Sequence, residues 1–287
     1  MTQKPSLTAA AQGDAYAVNG GVKIHYVVGG EGPLVVMIHG FPDYWATWKP
    51  LMGVLQAAGY RTAALDGRGY NLSDKPEGVE AYAMPHLIGD VAAVIAAEGA
   101  RDAIVVGHDW GAAIAWQVAI HRPDLVNRLV IMSVPHPAGF GREMASNAEQ
   151  QKNSQYARDF QTPGFEKHLT AEGLAGWVKD PGERAGYVEA FRRSSLAGML
   201  NYYRANYPSG AGDTPVAAPD LPPVQAPVLV IHGMQDKALA AAGHAGTWDH
   251  VARDTTLLMI PDADHFVQHD AEALVNRTLC SWLADRR

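Results

Sequence analysis

Short β-branched and aliphatic runs punctuate the chain at Val22-Lys-Ile-His-Tyr-Val-Val28, Leu34-Val-Val-Met-Ile38, Arg61-Thr-Ala-Ala-Leu65, Ala103-Ile-Val-Val106, Leu129-Val-Ile-Met132, Val228-Leu-Val-Ile231 and Thr256-Leu-Leu-Met-Ile260. Most are apolar at nearly every position, the pattern of strands covered on both faces. Between them, Leu87 to Glu98, Ala112 to His121 and Asp270 to Ala284 repeat apolar residues at i, i+3 and i+4, as amphipathic helices do. The alternation predicts βαβ units around a mostly parallel sheet flanked by helices, an α/β class. The turn Gly29-Gly-Glu-Gly-Pro33 predicts a hairpin joining the first two runs.

The alternation stops once. From Pro135 to about Pro222 the chain is rich in Gly, Arg, Tyr and Phe, with a helical stretch from Glu189 to Leu200. The link Pro219-Asp-Leu-Pro-Pro-Val-Gln-Ala-Pro227 then returns to a strand. A helical cap inserted into a sheet domain is expected, with the core at residues 1–137 and 221–287 and the cap at 138–220.

Composition narrows the partners. At 287 residues, 47% hydrophobic and 18% charged, the chain is long enough for a sizeable core and suits one domain carrying an insertion. A net charge of −7 without a basic stripe leaves nucleic acid and anionic membrane as poor partners. The opening residues hold no apolar stretch of signal-peptide length, and no run of about 18 apolar residues occurs, so a cytoplasmic protein is expected. The single cysteine, Cys280, excludes an intramolecular disulfide and a thiolate cage, and among Leu279, Trp282 and Leu283 it reads as a packed thiol.

The densest chemistry follows the strand Ala103–Val106. There Gly107-His108-Asp109-Trp110-Gly111 leads straight into Ala112-Ala-Ile-Ala-Trp-Gln-Val-Ala. A sharp strand-to-helix turn needs small residues at both flanks, and its central side chain projects at the carboxyl end of the sheet, where the next N–H faces the same crevice. Asp109 is then a candidate nucleophile, against the plainer reading that it only caps the helix. After Leu34–Ile38 comes His39-Gly40-Phe41-Pro42. Gly40 permits a close turn and Pro42 fixes the chain beyond it, so the N–H groups of Phe41 and Trp110 can form an oxyanion hole.

A base and an orienting acid stand past two later strand ends. His232-Gly-Met-Gln-Asp236 follows Val228–Ile231, and Pro261-Asp-Ala-Asp-His265 follows Thr256–Ile260. Both loops can reach the carboxyl edge, making His265 the candidate base and Asp236 its partner. Asp262 and Asp264, too near His265 in sequence, read as solvated. His269 lies four residues beyond His265, but Phe266-Val-Gln268 lacks the glutamate of a zinc-binding helix, so no metal is expected.

Taken together these residues resemble the α/β-hydrolase superfamily and, within it, the epoxide hydrolases. The likeness runs from Tyr16 onward and includes Asp66-Gly-Arg-Gly-Tyr-Asn-Leu-Ser-Asp-Lys-Pro76, Val106-Gly-His-Asp-Trp-Gly111 and Ser133-Val-Pro-His-Pro137. The resemblance implies the α/β-hydrolase fold with a helical cap, and two cap tyrosines that hold the epoxide oxygen. Tyr156-Ala-Arg-Asp-Phe160-Gln-Thr-Pro-Gly164 matches the motif of the first and Asn201-Tyr-Tyr-Arg204 that of the second, so Tyr156 and Tyr203 inherit the roles. Asp264 stands where the family commonly has glycine, Tyr202 where it has tryptophan, and Asp66-Gly67 is a less common form of its loop.

The implied reaction opens an epoxide to a vicinal diol through an ester on Asp109, which water activated by His265 then hydrolyses. The expected partners are a small apolar epoxide and water, with no metal or organic cofactor and with a homo-oligomer left open. His39, Pro42, Trp110 and Phe160 are expected to line the substrate pocket. Phe165, Trp177, Phe191 and Tyr202 suit an apolar pocket or the cap's own core equally well. Two other readings compete. A haloalkane dehalogenase also uses an aspartate elbow, but there asparagine often follows the His-Gly pair, where this chain has Phe41, whose ring cannot donate. A silent ligand-binding scaffold would show a broken triad.

Overall fold

The computed structural model describes residues 12–208 and 221–286. Eight strands form one sheet: β1 (Gly13–Asn19), β2 (Val22–Gly29), β3 (Leu34–Ile38), β4 (Arg61–Leu65), β5 (Ala103–His108), β6 (Val126–Met132), β7 (Val228–Gly233) and β8 (Thr255–Ile260). Their spatial order is β1-β2-β4-β3-β5-β6-β7-β8. The first two pairings, β1 with β2 and β2 with β4, are antiparallel and the rest parallel.

The expected hairpin between β2 and β3 does not form, because β4 lies between them. The Gly29–Pro33 segment instead crosses the end of β4, with Gly32 so close to the Gly59 carbonyl that a Cβ would overlap it. The hairpin that does form joins β1 to β2 through Gly20-Gly21, whose φ values of 57° and 87° make the two-residue turn that matches strand twist. Asn19-Gly-Gly was its sequence signal.

Buried strand runs alternate between two cores, as a pleated sheet covered on both faces requires. Val36, Ile38, Val105, Leu129 and Ile131 pack on one face with α2 (Met84–Ala97) and α3 (Trp110–His121). Val35, Met37, Ile104, Val106, Val130 and Leu229 point to the other, where α1 (Lys49–Ala57) and a carboxyl-terminal helix cover them. Helix α1 was unforeseen, although Pro50 in its first turn and Gly59 after its end are ordinary boundary signals.

Between β6 and β7 the described residues form α4 (Pro137–Ser146), α5 (Ala148–Asn153), α6 (Gln155–Asp159), α7 (Ala171–Leu174), α8 (Pro181–Arg193) and α9 (Leu196–Asn206). The expected helix from Glu189 to Leu200 is two helices. Ser194 is extended, and the Ser195 side chain accepts the Gly198 N–H at 3.0 Å as the N-cap of α9. The expected end of the cap at 220 and the start of the Pro-rich link lie outside the described residues. The final expected helix, Asp270 to Ala284, forms as α11 (Glu272–Ala284), preceded by the short α10 (Val267–Asp270). Cys280 sits half-buried on α11 against the second core.

Candidate active site

At the carboxyl end of β5 the chain turns into α3 through a single residue. Asp109 has φ 50° and ψ −124°, a conformation that non-glycine residues rarely adopt and that persists only when its surroundings enforce it. They do so here by close packing. A Cβ at Gly107 would overlap the Gly111 carbonyl, one at Gly111 would overlap the Ile38 carbonyl, and one at Gly40 would overlap the Asp109 side chain. Gly107 and Gly111 thus let β3, β5 and α3 meet backbone to backbone, and Gly40 leaves room for the Asp109 side chain.

The Asp109 carboxylate makes no capping hydrogen bond to α3. Its Oδ1 accepts the Phe41 N–H at 2.7 Å, and its Oδ2 lies 3.4 Å from His265 Nε2. Burial by itself would raise its pKa, yet the hydrogen bond and charge of His265, with the Phe41 N–H, hold it below the usual carboxylate value. Trp110 opens α3, where the first N–H groups have no partner within the helix.

His265 reaches this carboxylate from the loop after β8. Its Nδ1–H donates to Asp236 Oδ2 at 2.9 Å. The Asp236 side chain is fully buried in the loop after β7, and its Oδ1 accepts the N–H groups of Ala238 at 2.7 Å and Leu239 at 3.0 Å. Burial pulls the imidazole pKa down, but Asp236 and Asp109 on either side more than offset it, and the value is pushed up to about 10. The resting pair is therefore imidazolium beside carboxylate.

The backbone beneath His265 is pinned as well. Its carbonyl accepts from Ser133 Oγ at 2.7 Å and His108 Nε2 at 2.9 Å, while its N–H donates to Asp264 Oδ1 at 2.8 Å. Asp264 thus ties the loop down, whereas Asp262 is exposed. Sequence reading singled out neither Ser133 nor His108 for this. Ser133, buried at φ 71°, carries no local signal of the role, since its partner is more than a hundred residues away.

A cavity of about 380 Å³ opens over Asp109. Asp109, Trp110, Tyr156 and Tyr203 share its wall. The two phenol rings lie 6.2 Å apart, and Tyr203 stands edge-on to Trp110 at 5.0 Å. Burial, then the charge of Asp109, raises both phenol pKa values well above the ordinary tyrosine value, so both stay protonated as donors.

The remaining expected pocket residues lie off this wall. His39 is buried, with Nδ1 against the Gly40 carbonyl at 2.7 Å and Nε2 accepting the Gly67 N–H at 3.0 Å, so its ring is committed to holding two loops together. Pro42 offers its carbonyl to the Trp177 indole at 3.1 Å. Phe160 packs behind the cavity against Phe41, Tyr156 and Tyr203. Tyr202 donates its hydroxyl to the Arg68 carbonyl at 3.0 Å, and its ring meets Trp110 edge-on at 5.9 Å. The cavity is lined instead by Met84, Trp116, Phe140, Tyr207 and Leu239. Part of this was legible, because Trp110, Ala113 and Gln117 share one helical face at i, i+3 and i+7 and all line it. His265 precedes α10 and His269 is bonded to Thr47 Oγ1 at 2.7 Å, so the two histidines form no helical pair.

The family model of the α/β-hydrolase fold matches residues 33–272, and the chain belongs to that family. Xenopus tropicalis epoxide hydrolase 3 is 32% identical over 302 residues, covering 97% of this chain and 80% of its own. The AB hydrolase superfamily protein YfhM of Bacillus subtilis is 32% identical over 93% of this chain and 96% of its own. The crystal structure of Bacillus megaterium epoxide hydrolase with an inhibitor superimposes with a TM-score of 0.88 at 31% identity, covering 94% of this chain and 100% of that one. Within the α/β hydrolases, this chain is a member of the epoxide hydrolase family. Among the described residues no helix is long and apolar enough to cross a membrane.

Proposed function

We propose that the protein opens an apolar epoxide to a vicinal diol through an ester on Asp109. The observation that carries this reading is a carboxylate divided between the Phe41 N–H and His265, on the wall of a cavity that also presents two protonated phenols. Oδ1, already held by Phe41, becomes the ester carbonyl oxygen, which leaves Oδ2 to attack a ring carbon. The ring C–O bond breaks, and the oxygen takes its proton from the phenol pair of Tyr156 and Tyr203. Esterification removes the Asp109 charge that helps raise both phenol pKa values, so the phenols become better acids as the alkoxide develops.

The same neutralisation removes one of the two carboxylates that keep His265 protonated. The imidazole then sheds its proton, which through solvent replaces the one the phenol pair gave to the ring oxygen, and the neutral ring can serve as a base towards water. Asp236 holds its tautomer, and the N–H groups of Phe41 and Trp110 stabilise the tetrahedral oxyanion. Dehalogenation is the weaker reading, because the residue after His39-Gly40 is Phe41, whose ring cannot donate to a halide, while two phenols share the cavity wall with Asp109. A single turnover in oxygen-18 water is expected to place the label on Asp109 and leave the first diol unlabelled. Label in that diol, with none in the Asp109 peptide, would refute the covalent route.

A further inference from the structure

A second cleft, of about 830 Å³, opens on the other side of His265, between α8 and the loops around Thr47 and Phe266. No described residue lines both this cleft and the 380 Å³ cavity. Asp109 lines the inner cavity and His265 the outer cleft, and the two side chains meet at 3.4 Å. The two chambers differ in chemistry. Aromatic and aliphatic side chains dominate the inner one, while Lys49, Lys179, Glu183, Asp270 and Glu272 line the outer one. The Trp177 and Phe266 rings, stacked at 3.8 Å, join cap to core on its wall.

We propose that the outer cleft is the route by which the hydrolytic water reaches His265, separate from the side on which the epoxide binds. This rests on the covalent reading. Once the alkyl group is bonded to Asp109 it fills the inner cavity, and a water must come within hydrogen-bond reach of His265 Nε2 and of the ester carbon together. The charged outer walls keep that side hydrated when the inner side is blocked. The water gives one proton to His265 Nε2 as its oxygen bonds to the ester carbon. Collapse breaks the bond from that carbon to the alkyl oxygen, which takes the proton from His265. The new carboxylic acid then protonates His265 again, restoring imidazolium beside carboxylate.

Glu183, exposed on α8, gives a handle for a test. Glu183→Cys in a Cys280→Ser background is capped with a bulky aromatic maleimide, and one folded sample is followed by rapid quench before and after capping. Ester formation is expected to stay within about two-fold, while its decay slows at least about ten-fold and the alkyl-enzyme accumulates. Phe140→Trp, which crowds the inner cavity, is expected to do the reverse, slowing formation and not decay. Unchanged decay after capping overturns the proposal. So does slowed formation, which would make the cleft a substrate arm. Absence of any ester in the unmodified protein removes the covalent reading, and the water route with it, a failure distinct from the other two.

Discussion

Replacing Asp109 by asparagine removes one of the two charges that hold the His265 proton and leaves the shape of the site almost unaltered. At 3.4 Å and an effective dielectric constant of about 20, a unit charge pair is worth roughly 5 kcal/mol. The His265 side chain is 15% exposed, and Asp236 remains at 2.9 Å, so solvent and the second carboxylate absorb part of the change. A fall of about 2 pKa units, or about 2.7 kcal/mol, is expected from the starting value of about 10. The assay is an NMR titration of the His265 ring in both proteins between neutral pH and the alkaline limit of folding. Because the folded pKa is raised above 6.5, the unmodified protein gains stability from this proton fully below that pH and loses it as pH rises through about 10. Asp109→Asn should lose its share at correspondingly lower pH. A His265 midpoint near 6.5 in the unmodified protein, or the same midpoint in both, would refute the argument that Asp109 controls when the imidazole becomes a base.

Other consequences can be checked separately. Tyr156→Phe and Tyr203→Phe are each expected to slow ester formation by about a hundred-fold, with ester decay little altered, as rapid quench would show. Equal rates in either variant would remove that phenol from the reaction. Gly40→Ala pushes a methyl group into the Asp109 side chain, and a loss of about 1–3 kcal/mol by denaturant titration should accompany loss of activity. Buried His25 is held between Asp66 at 2.7 Å and Asp14 at 3.0 Å, and these partners overcome burial to raise its pKa. Its contribution is therefore fully present below pH 6.5 and lost as pH rises through the folded value, so the stability gap to His25→Gln should narrow with rising pH. A gap that widened with pH would contradict that assignment.

Local sequence determined what local physics controls. Five-residue apolar runs such as Leu34–Ile38 are buried at every position because a sheet covered on both faces exposes neither side of the pleat. The glycines of Gly107-His-Asp-Trp-Gly111 mark a contact where backbone meets backbone, and strand ends followed by Asp236 and His265 put those side chains at one edge of the sheet. Tertiary structure decided the rest, since it depends on neighbours distant in the chain. That β4 separates β2 from β3 is a matter of pairing, which no strand's own pattern records. His39 and Tyr202 look like pocket residues in sequence, yet the Gly67 and Arg68 backbones claim their polar atoms, while Phe140 and Tyr207, unremarkable in sequence, face the cavity. An aromatic side chain carries its polarity and volume in the sequence, and only the fold settles whether a substrate or another side chain fills the space beside it.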